Sequence, residues 1–487
     1  MTKVGFVSLG CPKNLVDSEV MMGLLARDGY ELTPRAEEAD VLVVNTCSFI
    51  EAAQKESVDA ILEMAEHRKF GAAKKLIVAG CLVERYREQI FEQVPEVDAV
   101  VGTGEVERIL EAVRGDLRVL PAEPPTFLYH HLTPRIVTTS KHAAYLKIAE
   151  GCDHPCTFCV IPELRGKFRS RRFESVVREA ENLAAAGARE ITLIGQDTTS
   201  YGEDLSLRDG LPQLLAKLGQ IEELLWVRFL YAYPNRVTQK LLDTIAAHPR
   251  LAKYIDMPLQ HASRNVLARM KRGSNGDAFL RLLERIRRTI PGVSLRTSFI
   301  VGFPGETEAD FEELCDFLKA ARLDWMGVFE YSDVDNAESH ALDEKVDAAT
   351  IADRRDRLMA LQKRISKESL KAKYRAVKDA TFLALVEGPS NENPMVWEAR
   401  VEGMAPEIDG KLYLTDIEAP GGKVAEAGDV VRVEITKSDA YDLIGQAVEI
   451  LPRPAERAVT NAPVIAPVSA EEKLHRIATG APLRVLG

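Results

Sequence analysis

Short apolar runs alternate with amphipathic helical patterns over the first 115 residues. The apolar runs stand at 4–8, 41–45, 76–79 and 99–101, and helical periodicity stands at 15–27, from 51, from 83 and at 106–113. Alternation of strand and helix is typical of a parallel sheet covered by helices. We therefore predict that residues 1–115 form an α/β domain with an open parallel sheet.

A second and longer alternation occupies the middle of the chain. Helical patterns separate six strand candidates, at 145–149, 190–194, 226–231, 254–259, 294–301 and 326–331. Six consecutive βα units with right-handed crossovers predict a partial (β/α)6 barrel, which we place at residues 138–377. Functional sites in such barrels lie at the carboxyl ends of the strands.

The last third of the chain changes character. A charged helical stretch at 350–377 precedes short β-rich segments at 381–387, 395–401, 411–416 and 430–437. Gly, Pro and Asp separate these segments, which predicts a small antiparallel β-barrel over residues 378–450. Residues 116–137 contain PAEPP and predict a linker, whereas residues 451–487 are rich in Ala and Pro and predict a flexible tail.

The composition is that of a soluble globular protein, with 46% hydrophobic and 28% charged residues among 487. No apolar run approaches the ~18 residues that a membrane span needs, and the N-terminus has no signal-peptide pattern. We therefore expect a cytoplasmic protein without membrane contact. Acidic residues (74) outnumber basic ones (63), a balance that disfavours non-specific binding of nucleic acid and suits a basic protein partner.

The sharpest local motif is GCDHPCTFC at residues 151–159, directly after the first strand of the predicted barrel. Cys152, Cys156 and Cys159 place three thiolates on one short loop. Such a loop can hold three irons of a cubane cluster and leave the fourth iron open to a small molecule. A zinc site is the alternative, but its fourth ligand would be His154, which stands awkwardly between two of the cysteines.

Three further cysteines are scattered along the first domain. Cys11, Cys47 and Cys81 each follow a predicted parallel strand. Loops beyond the carboxyl ends of such strands converge on one crevice, so these residues are predicted to hold a second cluster. Cys315 lies within the helical pattern FEELCDFL and is predicted to pack in the core.

The chain closely resembles the radical S-adenosylmethionine methylthiotransferases. The resemblance covers residues 3–450 and is carried by the three N-terminal cysteines, the CDHPCTFC loop, VIPELRG and, at residues 302–311, GFPGETEADF. It implies an N-terminal methylthiotransferase domain, a radical SAM partial barrel and a C-terminal TRAM domain with an OB-like barrel. These three units agree with the pattern of elements described above.

Other segments resemble one branch of the family, which modifies an aspartate of small-subunit ribosomal protein S-twelve. They are AYLKIAEGC, IGQDTTSYG, YAYPNRV and IDMPLQHAS. The tRNA-modifying branches tend to carry asparagine where Asp197 stands and Ser-Gly where His261 and Ala262 stand. Residues 380–450 contain fourteen acidic and five basic residues, which favours a basic protein over RNA, although a solvated acidic surface without a partner is the alternative.

The resemblance implies two 4Fe–4S clusters and S-adenosylmethionine as cofactors, and an electron donor as a partner. The cluster on CDHPCTFC would bind S-adenosylmethionine, and its reductive cleavage would give methionine and a radical that removes hydrogen from the aspartate β-carbon. The cluster on Cys11, Cys47 and Cys81 would present the sulfur. The product would be 3-methylthioaspartate, and no tRNA substrate is expected.

Five residues near strand ends are candidate contacts of S-adenosylmethionine: Phe158, Gln196, Asp197, Gln260 and His261. A purely structural role is the alternative for each of them. The loop RGKFRSRR at residues 165–172 carries five positive charges, and either faces a carboxylate ligand or forms a solvated turn.

Two other functions remain as alternatives. One is a tRNA adenosine methylthiotransferase, which shares the chemistry but would need a basic surface on the C-terminal barrel. The other is a non-catalytic iron–sulfur sensor, which would bind a cluster but never cleave S-adenosylmethionine.

Overall fold

A computed structural model of the chain describes residues 1–116, 125–376, 379–419 and 422–453. Part of the predicted linker and nearly all of the predicted tail lie outside the described residues. The described chain forms two α/β units and a C-terminal barrel, in the order that the sequence predicts.

The N-terminal unit is an open parallel sheet, as predicted. Its elements are β1 (Lys3–Ser8), α1 (Pro12–Arg27), β2 (Glu31–Thr33), β3 (Val41–Thr46), α2 (Glu51–Phe70), β4 (Lys75–Gly80), α3 (Cys81–Gln93), β5 (Ala99–Val101) and α4 (Ile109–Arg114). The strands run in parallel in the order β2-β1-β3-β4-β5. The direction of progress across this sheet reverses between β1 and β3, and a crevice opens beyond the carboxyl ends at such a switch point.

The middle unit is the predicted partial barrel. Its strands are β6 (Ala143–Lys147), β7 (Ala149–Glu150), β8 (Arg169–Ser170), β9 (Glu190–Ile194), β10 (Trp226–Phe229), β11 (Tyr254–Asp256), β12 (Ser294–Val301) and β13 (Trp325–Glu330). Its helices are α5 (Ile161–Arg165), α6 (Phe173–Ala185), α7 (Gly210–Leu218), α8 (Gln239–Ala247), α9 (Arg264–Arg269), α10 (Gly276–Thr289), α11 (Glu308–Ala321) and α12 (Ala348–Arg375).

Six of these strands form the barrel wall in chain order. The parallel sheets β6-β9-β10 and β11-β12-β13 meet where Val227 bridges Leu251. The outer helices bury an apolar face against this wall, for example through Val176, Leu214 and Leu314. This packing leaves the inner face of the wall for the site.

The C-terminal unit is a closed five-stranded barrel. It contains β14 (Thr381–Pro389), β15 (Trp397–Val401), β16 (Leu412–Asp416), β19 (Val430–Ser438) and β20 (Leu443–Ile450), with a small hairpin of β17 (Glu418–Ala419) and β18 (Lys423–Val424). The sequence pattern did not predict β20. Four pairings are antiparallel as predicted, but β16 and β20 are parallel, because a hairpin and β19 intervene before the chain returns beside β16.

The C-terminal barrel closes the amino end of the strand wall in the middle unit. Trp325, the first residue of β13, donates its indole N–H to the carbonyl of Gly403 over 2.7 Å. Arg228 in β10 donates to the carbonyl of Glu402 over 3.2 Å. Since this end is filled by protein, a ligand can enter the wall from its carboxyl end, where the cysteines lie.

Candidate functional site

Three cysteines of the N-terminal sheet, which we call the N-terminal trio, meet at the carboxyl ends of its strands. Cys11 caps α1 after β1, Cys47 directly follows β3, and Cys81 begins α3 after β4. The first two flank the switch point of the sheet. Burial raises the pKa of Cys47 to about 12, and the neighbouring Cys81 and Cys11 thiols add to the rise, so the three sulfur atoms share one environment.

Glycine allows the backbone around this trio to pack closely. Gly10 has φ of +83°, and a Cβ atom built there would lie 2.7 Å from Cβ of Cys47. Gly80 has φ of +95°, and a Cβ there would lie 2.3 Å from the Asn45 side chain. Real Cβ atoms do not approach so closely, and the left-handed backbone also favours glycine.

The barrel trio, Cys152, Cys156 and Cys159, lies on the loop between β7 and α5. Cys159 N donates to the carbonyl of Cys156 over 3.1 Å, which folds the loop tightly. Burial raises the pKa of Cys152 to about 11 and that of Cys159 to about 12. Thiols in such surroundings become thiolates when a metal binds them, since the metal replaces the proton.

The donor chemistry of both trios fits iron–sulfur clusters. Among the described residues, no group of three or more His, Cys, Asp or Glu side chains is placed to hold a single metal ion. The ligands of a cubane bind different irons and therefore need not converge on one point.

Arg165, six residues after Cys159, lies against the N-terminal trio and was not recognised from sequence as part of the site. Its guanidinium lies 3.6 Å from Sγ of Cys81, 2.7 Å from Asp17 and 3.2 Å from Glu150. Lys147 completes this buried network by pairing with both carboxylates.

The basic loop at residues 165–172 therefore does not form a solvated turn throughout. Arg165 and Arg171 are each 1% exposed. Arg171 pairs with Glu179 over 2.6 Å on the side of the barrel wall, whereas Lys167 and Arg172 are exposed. The signal that could have indicated this was Lys147, a charge inside an otherwise apolar strand pattern, which required buried partners.

Two of the candidate S-adenosylmethionine contacts follow β9. Gln196 donates to Glu150 over 2.7 Å, and its side-chain carbonyl oxygen has no partner among the described residues. The Asp197 carboxylate is 2.7 Å from Nε2 of His154 and accepts hydrogen bonds from Thr199 N and Ser200 Oγ. Gln196 thus retains a free acceptor, while Asp197 fixes the barrel trio's loop.

The other three candidates occupy different surroundings. Gln260 has φ of +73° and pairs with Phe299 beside β12. His261 is fully buried, accepts a hydrogen bond from Ser263 N, and has a pKa lowered by burial to about 3. Phe158 packs against the apolar cluster that contains Phe303. The roles of all five in cofactor binding stay predictions, and Cys315 packs in the core as predicted.

An aromatic stack supports the barrel trio and was also missed. The rings of His154 and Tyr233 are stacked, with centroids 3.7 Å apart. Arg272 covers the same tyrosine at 4.3 Å, and its Nη1 is 3.6 Å from Sγ of Cys156. The stack brings a cation to the barrel trio, as Arg165 does for the N-terminal trio.

Three family models match the chain in succession. The uncharacterized protein family UPF0004 matches residues 3–102, the radical SAM superfamily matches residues 146–318, and the TRAM domain matches residues 380–448. A solved structure, the radical S-adenosylmethionine methyltransferase TsrM of Kitasatospora setae, covers 68% of this chain and 75% of its own at 17% identity, with a TM-score of 0.50. The fold and the site therefore define a radical SAM enzyme.

Curated relatives specify the family. The ribosomal protein uS12 methylthiotransferase RimO of Solibacter usitatus is 62% identical over 446 residues, covering 91% of this chain and 94% of its own. The RimO protein of Koribacter versatilis is 56% identical, covering 91% and 96%. The chain belongs to the RimO family of radical SAM methylthiotransferases. None of its described helices is long and apolar enough to cross a bilayer.

Proposed function

We propose that this protein attaches a methylthio group to the β-carbon of an aspartate in ribosomal protein uS12, giving 3-methylthioaspartate. It does so with two 4Fe–4S clusters, one on each cysteine trio, with S-adenosylmethionine, and with electrons from a donor protein or reductant. One observation carries the proposal: the segment that follows the barrel trio reaches the N-terminal trio. Arg165, six residues after Cys159, lies 3.6 Å from Sγ of Cys81. The names of the relatives supply the substrate.

The cofactors and the residues of the chain have different roles in the proposed reaction. When bound, the clusters and S-adenosylmethionine supply the one-electron chemistry that no side chain can provide for an unactivated C–H bond. Cys152, Cys156 and Cys159 would hold the cluster that binds S-adenosylmethionine, and the unpartnered side-chain oxygen of Gln196 could accept a hydrogen bond from the cofactor. The C-terminal barrel closes the amino end of the wall, which excludes water from the reacting groups.

The surface of the C-terminal barrel supports a basic protein substrate. Seven of its acidic side chains are exposed: Glu392, Glu407, Asp416, Glu418, Glu426, Asp439 and Glu449. Only three basic side chains are exposed among its described residues: Lys411, Lys423 and Lys437. The remaining acidic residues include Glu387, which pairs with Arg400 and His142 and so joins the domains. Such a surface repels nucleic acid phosphates and attracts a basic protein.

Reconstitution tests the proposal directly. The protein is loaded anaerobically with iron and sulfide, reduced, and incubated with S-adenosylmethionine and either uS12 or tRNA. We expect mass spectrometry to find the methylthio group on an aspartate of uS12. Modification of tRNA alone would contradict the substrate assignment, and failure to cleave S-adenosylmethionine would indicate a non-catalytic iron–sulfur protein.

Two cysteine variants separate the proposed roles of the trios. Cys156→Ala should abolish cleavage of S-adenosylmethionine, because the barrel trio would lose a ligand. Cys47→Ala should retain cleavage and lose sulfur insertion. Cys315→Ala, a cysteine outside both trios, is the matched control. Normal sulfur transfer by Cys47→Ala would contradict the role of the N-terminal trio.

A further inference from the structure

Lys13 places a cation beside the N-terminal trio without a carboxylate to balance it. It is the second residue of α1, two positions after Cys11, and is 8% exposed. Its Nζ lies 3.4 Å from the centroid of the Tyr231 ring, and it takes part in no ion pair within the described chain. A buried charge is costly without a counter-charge, so this lysine calls for an explanation.

The local structure of α1 does not stabilise the charge. The amino end of a helix carries partial positive charge and favours anions rather than cations. The first turn of α1 contains no acidic residue that could offset this effect. Lys13 therefore stands where helix electrostatics disfavour it.

Three buried carboxylates of the site are already engaged by other groups. Asp17 and Glu150 both pair with Arg165 and Lys147. On the barrel side, Asp256 accepts from Arg296 and from the backbone N–H of Tyr231. The counter-charge for Lys13 must therefore come from what occupies the site, either the thiolate of Cys11 or a bound anion.

The tyrosine that faces Lys13 is held rigidly at the carboxyl end of β10. Tyr231 has φ of +63°, a left-handed conformation that is unfavourable for a bulky residue. Its N–H donates to Asp256 over 2.8 Å, and its carbonyl accepts from Thr198 N over 3.2 Å. Backbone strain held by its surroundings in this way concentrates at functional sites.

The pair lies beside the N-terminal trio, and the chain after Tyr231 leads to the barrel trio's loop. Lys13 belongs to the same helix start as Cys11, whereas Tyr233, two residues after Tyr231, stacks on His154 of the barrel trio's loop. A carbon that loses hydrogen at one centre and gains sulfur from the other must lie between them. The carboxylate of an aspartate side chain is bonded directly to that β-carbon.

We infer that Lys13 and Tyr231 bind the side-chain carboxylate of the substrate aspartate. Lys13 supplies the counter-charge, and the tyrosine ring orients the ammonium group. This inference rests on the proposed function and adds the residues that select an aspartate. It also gives the buried cation a carboxylate partner, which no ion pair of the described residues provides.

A charge swap on both partners tests the inference. Binding of uS12, and of uS12 with asparagine at the target position, is measured with S-adenosylmethionine present and reductant withheld. Wild-type protein should prefer the aspartate form by about 10- to 100-fold, the usual effect of losing a charge-assisted contact. Lys13→Met should bind both forms equally, with unchanged iron and sulfide, whereas Lys13→Arg should retain a preference. Lys74→Met, an exposed lysine of the same unit, is the control.

The possible outcomes distinguish substrate binding by Lys13 from a structural role of Lys13 and from failure of the proposed function. If Lys13→Met keeps the full preference for aspartate, the inference is wrong. If it loses iron and weakens both forms equally, Lys13 serves only as a counter-charge for the cluster, which also overturns the inference. In either case wild-type modification of uS12 would leave the proposed function standing. If the wild-type protein neither binds nor modifies uS12, the proposed function fails and the inference fails with it.

Discussion

The N-terminal trio is assembled from three βα units of a parallel sheet, whereas the barrel trio lies on one loop. The first depends on strand order, because Cys11 and Cys47 meet only where β1 and β3 are neighbours. The second depends on local backbone geometry and would persist if distant strands shifted. The N-terminal site should therefore be lost with the fold of its domain, while the barrel site should be sensitive mainly to its own loop.

The electrostatics of the two trios also differ. In the barrel trio, burial raises the pKa of both Cys152 and Cys159. Burial raises the pKa of the Cys11 thiol, but the nearby Lys13 and Arg165 outweigh this and hold it below the ordinary value. Cys47 and Cys81 in the same trio have pKa values raised to about 12 and about 11, in each case chiefly by burial. Within the N-terminal trio, the Cys11 thiol is therefore more acidic than the Cys47 and Cys81 thiols.

Replacing Arg165, which lies beside the N-terminal trio, should have the largest effect. Arg165→Met leaves Asp17 and Glu150 buried with only Lys147, and breaking such a buried network costs about 3–5 kcal/mol. We expect the free energy of unfolding to fall by this amount in anaerobic guanidinium titrations, and the iron of the N-terminal trio to fall with it. That result would show that the N-terminal trio depends on a residue of the middle unit as well as on the fold of its own domain.

The control for this variant is Arg178→Met. Arg178 is an exposed arginine on α6 that pairs with Glu181 at the surface. Such a pair contributes at most about 1 kcal/mol. If Arg165→Met proved as stable as Arg178→Met, the buried network would not hold the two units together.

The sequence predicted the placement of the cysteines well because that placement follows from periodicity. Apolar runs located β1, β3 and β4, and the convergence of loops in parallel sheets then brought the residues after them together. The edge strand β2 was missed because three residues give no recognisable alternation. β20 was missed because the glycine within LIGQAVEI interrupts its pattern.

The charged network could not be predicted from the sequence. Asp17, Lys147 and Arg165 lie in separate elements, and each charge taken alone resembles a solvated side chain. Their pairing depends on how α1 packs against β6, which is a tertiary contact. The same holds for Lys13 and Tyr231, which lie in different domains.

Alkylation of the metal-free protein should sharpen the contrast within the N-terminal trio. At pH 8 we expect iodoacetamide to modify Cys11 at least ~100-fold faster than Cys47, because the thiolate is the reactive form and a thiol of pKa about 12 is almost wholly protonated. The rate at Cys47 should keep rising about tenfold per pH unit from pH 7 to 10, while the rate at Cys11 levels off. Peptide mapping by mass spectrometry measures both.

Cys315 is the internal reference for that experiment. It is buried outside both trios, and burial raises its pKa to about 11. It should react slowly and follow the pH profile of Cys47. Equal rates at Cys11 and Cys315 would show that Lys13 and Arg165 do not favour the Cys11 thiolate.

The smallest effect is expected from Arg272→Met, which removes the cation beside the barrel trio. Arg272 donates to the carbonyl of Pro258 over 2.6 Å and covers the Tyr233 ring, so its charge is fixed 3.6 Å from Sγ of Cys156. Loss of one such contact, worth about 1.4 kcal/mol, should slow release of methionine from S-adenosylmethionine about tenfold. Arg264→Met, an exposed arginine on α9, should leave the rate unchanged. The iron of the N-terminal trio is counted separately, in protein whose three barrel cysteines are replaced by alanine. It should be unaffected, because Arg165 and not Arg272 lies beside that trio. A loss of this iron would mean that Arg272 also affects the N-terminal trio.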